Sequence, residues 1–144
     1  MLKDKVFLTQ TDTTVGFVSQ NFQRLDEIKK RPSHKQYIKA VNSLKTLKEF
    51  TRVPTKYKKI VRRAKKTTFV MPNKNSYRVI RDNHHLLLLQ RFKWLFTTSA
   101  NLSNQNYDEK FAKEVVDIII TPLNYTPQSS SIYKLGIKQI KKIR

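Results

Sequence analysis

Three short polar segments hold most of the residues that could do chemistry in this chain. The first is Thr11-Asp12-Thr13-Thr14-Val15-Gly16. Its hydroxyls each donate and accept a hydrogen bond, and Gly16, one of two glycines, permits close backbone approach or a positive φ. The second is Lys29-Lys30-Arg31-Pro32, where Lys29 and Arg31 can aim two cations at one anion and the guanidinium offers a fork to phosphate oxygens. The third, Thr97-Thr98-Ser99-Ala100-Asn101-Leu102-Ser103, is dense in small hydrogen-bonding side chains suited to phosphate or carboxylate. Taken singly, the first and third also read as solvated turns, and the second as cations at a helix C-terminus. None supplies a proton-transfer triad.

These segments need elements to position them. The pattern predicts a strand over residues 5–9, then a helix capped by Asn21 with Phe22, Leu25 and Ile28 on one face, ended by Pro32. A strand follows over 36–41, then a helix capped by Ser43, and a third helix over 55–63 opened by Pro54. Strands are predicted over 67–71, 77–80, 94–97 and 118–121. Helices are predicted over 83–92, apolar on most sides and so buried, and over 108–116. Residues 122–130 read as a loop, and 131–135 and 137–140 as strands hinged at Gly136. Alternating strands and helices, without repeats or a linker, predict a single α/β domain over residues 1–144 with a twisted mixed sheet and flanking helices. The first and third polar segments follow predicted strands, where open α/β sheets place ligands, and the second follows the helix that Pro32 ends.

Composition narrows the function classes. The chain has 144 residues and no cysteine, which excludes disulfides, a cysteine nucleophile and thiolate-bound metal. Residues 1–20 lack an apolar run, and the longest purely apolar run, 86–89, is far too short to span a bilayer. A soluble, cytoplasmic protein is expected. Thirty Lys and Arg against ten Asp and Glu give a net charge of +20. Between Ile28 and Lys66 there are fifteen cations and one acid, Glu49. Such a field attracts polyanions, nucleic acid first among them, with strong salt dependence. The same charge also reads as attraction to an anionic membrane surface, or as lysines that only keep a small protein soluble.

The order of the segments resembles the YrdC-like family of threonylcarbamoyl-AMP synthases. A Thr-Asp-Thr-x-x-Gly turn comes after the first strand, then Lys-x-Arg-Pro, then Ser-Ala-Asn after a late strand. Ile28-Lys29-Lys30-Arg31-Pro32 is similar to the family's Leu-Lys-x-Arg-Pro, Thr67-Thr68-Phe69-Val70-Met71-Pro72 to its Thr-rich strand, and Arg78-Val79 to the arginine opening the next strand. The resemblance runs over residues 6–132.

The resemblance implies the YrdC-like fold with an open, positively charged cleft. It implies synthesis of threonylcarbamoyl-adenylate and pyrophosphate from ATP, L-threonine and bicarbonate, with Mg2+ accompanying ATP and no metal held by the protein alone. A partner threonylcarbamoyl transferase then modifies an adenosine of tRNA. Carried over by position, Thr11, Thr13 and Arg78 would contact threonine, with Arg78 on its carboxylate or a phosphate. Lys29 and Arg31 would neutralise the triphosphate and the charge developing at the α-phosphorus. Ser99, Asn101 and Ser130 would hold the nucleotide.

The chain departs from the family pattern at Gln10, where proline is usual, and at Val15, where an aromatic is usual. It also has Ala64-Lys65-Lys66 for Pro-Gly-Pro, and Lys134 at an acidic position. These departures define an alternative: a YrdC-like protein that binds transfer or double-stranded RNA without catalysis. A ribosome-associated basic protein is a third reading. His84 and His85, adjacent on a helix, diverge and do not suit one metal. Tyr57, among Lys56, Lys58 and Lys59, is either packed or a nucleic-acid contact, and Trp94 with Phe96 reads as strand core.

Overall fold

A computed structural model describes residues 2–30, 36–102, 105–124 and 129–144. Arg31 and Ser103 lie outside the described residues. The first hairpin forms because the Thr11 hydroxyl closes its turn. It donates to the Thr14 carbonyl at 2.6 Å and accepts from the amides of Thr13 and Thr14. The turn joins β1 (Phe7–Gln10) to β2 (Val15–Ser19), which pair antiparallel. The sequence pattern alone misses β2: it reads residues 11–16 as one polar turn. All five β2 residues are buried, and such a doubly covered strand carries no apolar-polar alternation to mark it.

The helices start where their caps predict. The Asn21 side chain accepts from the amides of Gln23 and Arg24 to open α1 (Phe22–Lys29). Ser43 caps α2 (Leu44–Phe50), and a 3-10 turn at Thr55–Tyr57 leads into α3 (Lys58–Arg63). Asp82 caps α4 (Asn83–Phe92), and Asp108 caps α5 (Glu109–Val115). The remaining strands are β3 (Ile38–Val41), β4 (Thr67–Val70), β5 (Ser76–Val79), β6 (Trp94–Ser99), β7 (Ile118–Ile119), β8 (Ser131–Leu135) and β9 (Ile140–Lys142). The last strand begins three residues later than its pattern suggests, because the Gly136 amide bonds the Gln139 carbonyl and keeps 136–139 as the turn.

The strands form one mixed sheet in the order β7-β1-β2-β6-β3-β5-β4-β8-β9. Strand alternation gives the two faces different roles. Val41, Phe69, Tyr77, Val79 and Leu135 point to one face and pack with Leu47 of α2 and Val61 of α3. Further along that face, Leu8 and Phe17 pack with Leu25 of α1 and Ala112 of α5. On the other face, Phe7, Val18, Ala40 and Leu95 meet Leu89 of α4. That helix is not buried on most sides as its composition suggests. His85 and Leu89, four residues apart, are its buried positions, while Leu87 is 66% exposed. It covers a sheet with one side only, so a single stripe suffices.

Gly16 sits in extended β2, not at a positive φ. Its requirement is close approach: a Cβ there would lie 2.9 Å from both the Thr98 carbonyl oxygen and Thr11 Cγ2. The positive-φ residues outside glycine are Lys30, Lys66, Lys74 and Lys93, so this glycine-poor chain takes its described left-handed positions with lysine. Gly16→Ala should spread β2 from β6 and lower stability by about 1–3 kcal/mol. Thermal unfolding should show a fall on the order of 5 °C.

Candidate functional site

α4 covers only part of its face of the sheet. Past its edge lies a polar cleft of about 350 Å3, lined among others by Thr11, Thr13, Arg78, Ser99, Ser130 and Arg144. Gly16, Thr97 and Thr98 form its floor along β2 and β6, where the absent Cβ of Gly16 keeps the backbones close.

Arg78, on β5, is 5% exposed and organises this cleft. Its Nη1 donates to Asp12 Oδ1 at 2.8 Å and to Thr13 Oγ1 at 3.3 Å, and its Nε donates to Thr68 Oγ1 at 3.2 Å. The Thr68 hydroxyl lies 2.9 Å from the Ser130 hydroxyl. Arg144 closes the series, donating to the Ser130 carbonyl at 3.0 Å and to its hydroxyl at 3.4 Å. One connected polar path therefore joins the first hairpin, the β4–β5 pair and the β8–β9 hairpin. An ion pair this deep loses much hydration, so each charge depends on its partner.

His85, on α4, approaches the same pair from beneath, its Nδ1 3.9 Å from Asp12 Oδ1. Burial pushes its pKa down to about 4; Asp12 opposes that shift and Arg78 adds to it. The imidazole is neutral at physiological pH. Among the described residues, neither of its ring nitrogens nor Asp12 Oδ2 has a hydrogen-bond partner.

Lys29 approaches from the other side of the wall. It is buried in the last turn of α1, and its ammonium donates to the Ser99 carbonyl at 2.9 Å and to the Asn101 carbonyl. The Asn101 amide donates to the carbonyls of Leu102 and Gln105 at 2.9 and 2.7 Å. Both residues shape the loop after β6, and neither lines the cleft with Ser99. The structure thus gathers Thr11, Thr13, Arg78, Ser99 and Ser130 at the cleft and places Lys29 and Asn101 behind its wall.

Arg144, Thr68 and the Asp12–His85 contact escape a reading of the sequence. Arg144 ends a Lys-Lys-Ile-Arg run that looks solvated, and only its position opposite Ile132 turns its side chain toward Ser130. On the opposite face, Lys39 rests 3.9 Å from the Phe50 ring centroid and 4.4 Å from that of Trp94, and burial lowers its pKa. Trp94 and Phe96 pack edge to face there, and Tyr57 is buried in the core rather than presented to a ligand. Among the described residues, no helix is long and apolar enough to cross a membrane, and no cluster of His, Asp and Glu suits a metal ion.

Fold and site together define an α/β domain with a hydroxyl-lined cleft built around a buried arginine. The Sua5/YciO/YrdC family model, described as telomere recombination, matches residues 1–144, and the chain belongs to that family. It is 36% identical over 148 residues to the uncharacterized protein MG259 of Mycoplasma genitalium, covering 92% of this chain and 31% of that protein. The chain thus spans about a third of the length of that curated relative. P. abyssi Sua5 complexed with L-threonine superposes with a TM-score of 0.85 at 18% identity, over 99% of this chain and 51% of that one. Full-length HypF in a phosphate- and nucleotide-bound form superposes with a TM-score of 0.77 at 14% identity, over 99% of this chain and 27% of that one.

Two predictions follow from the cleft. Asp12→Ala should cost about 3–5 kcal/mol in urea unfolding, because Arg78 is left as an uncompensated buried charge. Arg24→Ala, at the more exposed Arg24–Asp117 pair, should cost well under half of that. The second concerns pH. The unfolded chain protonates His85 near its ordinary 6.5, whereas the fold holds off that proton to about 4. Its contribution is complete above pH 6.5 and is lost as pH falls toward 4, on the order of 3 kcal/mol in all. His85→Gln should flatten the stability profile measured by urea unfolding across that window.

Proposed function

We propose that the cleft holds L-threonine beside ATP and that the chain is a threonylcarbamoyl-AMP synthase. In this reading the threonine amine bonds to the carbon of bicarbonate, with loss of water. An oxygen of the resulting carbamate then attacks the α-phosphorus of ATP, and the bond to pyrophosphate breaks. The observation that carries the reading is the buried Arg78 guanidinium, set by Asp12 among the hydroxyls of Thr13 and Thr68 in a cleft rimmed by a second arginine. One cation suits the amino-acid carboxylate and the other, Arg144, suits the phosphates. A carboxylate and a triphosphate that must be brought together need that separation of positive charge.

Thr11 and Thr13 take the threonine side chain and amine, and Ser99 and Ser130 take phosphate oxygens. Lys29 contributes through the loop, since its ammonium is bonded to the carbonyls of Ser99 and Asn101 and holds Ser99 at the cleft. Asn101 stiffens the same loop, and Arg31 supplies a further cation to the triphosphate. Mg2+ arrives on the nucleotide, bound mainly by phosphates and water. The family match and the likeness to Sua5, described in complex with L-threonine, support this reading. The product would pass to a transferase acting on tRNA.

Purified protein should release pyrophosphate only when ATP, threonine and bicarbonate are all present. Arg144→Gln removes an exposed guanidinium rather than a buried one, so the fold should persist. It should raise the KM for ATP about tenfold or more, the effect of one charge-assisted hydrogen bond, and leave the KM for threonine near its original value. Thr13→Val should do the reverse. Pyrophosphate release that ignores threonine at every pH and Mg2+ concentration would refute the proposal.

A further inference from the structure

The sheet face that carries α1 and α2 has an opening of its own. Two apolar clusters lie on that face, one holding Leu47 of α2 and the other Leu25 of α1. Where they meet, a groove of about 270 Å3 is left. Phe96 of β6 and Tyr77 of β5 form its floor, and Phe22, the first residue of α1, stands with Tyr37 on one side. Lys39 of β3 lies between the two floor strands. Strand alternation sends Lys39, Tyr77 and Phe96 to this face and Ile38, Arg78 and Thr97 to the cleft. Among the described residues, the groove and the cleft share only Gln36 and Tyr37, just before β3.

The groove is lined by rings and one charge. Phe22 and Tyr37 each pack against Phe96 with ring centroids 6.3 Å apart. The Tyr37 hydroxyl donates to Asp26 Oδ1 at 2.7 Å, and the Tyr77 hydroxyl accepts from the Asn73 amide at 3.1 Å. The Lys39 ammonium sits 3.9 Å from the Phe50 ring centroid, 4.4 Å from that of Trp94 and 5.3 Å from that of Phe96. Among the described residues, no carboxylate lies within ion-pair distance of it. Aromatic faces replace only part of the water an ammonium loses, and burial lowers the Lys39 pKa. An anion entering the groove would restore a partner to that charge. The rings favour another ring, which can meet Phe96 edge to face or offset. At 270 Å3 the groove lies below the range of about 300–1,000 Å3 that larger ligands need, so it suits a single ring and not a nucleotide.

We infer that this groove binds a small aromatic carboxylate, its ring seated against Phe96 and Phe22 and its acid group on Lys39. The site lies on the far side of the sheet from the cleft and is independent of the reaction proposed there. The test uses 3-phenylpropionate as the probe, with propionate and 3-phenylpropanol as its acid-only and ring-only halves, each titrated into the full chain by calorimetry. Trp94, the only tryptophan, lies beside Lys39 and reports occupancy through its emission. The probe should bind saturably, one per chain, with a Kd on the order of 1 mM or below, as a ligand of about eleven non-hydrogen atoms does at ordinary efficiency. Propionate and 3-phenylpropanol should each bind about tenfold more weakly or worse. Lys39→Met keeps the aliphatic stem and removes the charge, and it should weaken the probe about tenfold. Phe22→Ala, at a position 47% exposed, should weaken it about three- to tenfold without unfolding the chain. Arg144→Gln, at the rim of the cleft, should leave it unchanged. Melting temperatures of the variants establish that they fold. Propionate binding as tightly as the probe would overturn the inference, since it would mark the general pull of a chain of charge +20 on anions. Equal binding of 3-phenylpropanol would overturn it by reducing the groove to an apolar slot. Loss of binding in Arg144→Gln rather than in Lys39→Met would move the probe to the cleft, and the absence of saturable binding would leave the groove without this ligand class; either result overturns it.

Discussion

The guanidinium of Arg78 is charged and lies where water scarcely reaches, and much of the molecule is arranged to satisfy it. Asp12 supplies the countercharge, but a carboxylate alone would leave donors unmet. Thr13 and Thr68 take two more of them. The partners come from two parts of the chain, the first hairpin and β4, so the full set of bonds forms only when the hairpin and the β4–β5 pair have docked. The Thr11 hydroxyl holds the hairpin turn that carries Asp12, and the closeness of β2 to β6 at Gly16 seats that hairpin. A buried pair of this kind contributes little net stability against an apolar replacement, yet breaking it is costly. Arg78 lines the polar cleft, and Asp12, its partner, lies behind it.

The two faces of the sheet divide the work. One is covered by α1, α2, α3 and α5 and holds most of the apolar core. Among the described residues the other has α4 alone, and the surface left uncovered is the cleft. That region is lined by polar side chains, among them Arg78, Ser99 and Ser130. Charge follows the same logic. The lysines of α2 and α3 face outward because their helices bury a narrow stripe, Leu47 and Val61 at its centre. Positive charge therefore accumulates outside the core while the cleft keeps a small number of fixed cations.

The chain meets the backbone demands of this fold with few glycines. At Lys30, Lys66, Lys74 and Lys93 a lysine adopts the left-handed conformation that glycine would occupy at lower cost. Lys66 stands in the segment where the family pattern has Pro-Gly-Pro, so the turn into β4 is retained although its usual residues are not. Val15, at the usual aromatic position, is fully buried in β2 and belongs to the core rather than to the cleft. These replacements keep the scaffold.

Local signals in the sequence determined the helix starts at Asn21, Ser43 and Asp108, the alternation of strands with helices, and the three polar segments in their order. Each depends on residues a few positions apart, which a linear reading can weigh. The family pattern extended this to Thr11, Arg78, Ser99 and Ser130, residues far apart in the chain that meet at one cleft. The tertiary structure alone decided the rest. It showed β2 as a strand, because a strand buried on both faces loses its alternation. It turned Lys29 toward the Ser99 loop, made Arg144 a cleft residue through the β8–β9 hairpin, and set His85 beneath Asp12. It also separated the α2–α3 cations from the cleft. In each case the deciding quantity is the direction of a side chain across elements distant in sequence, which pairing register and packing determine and composition does not.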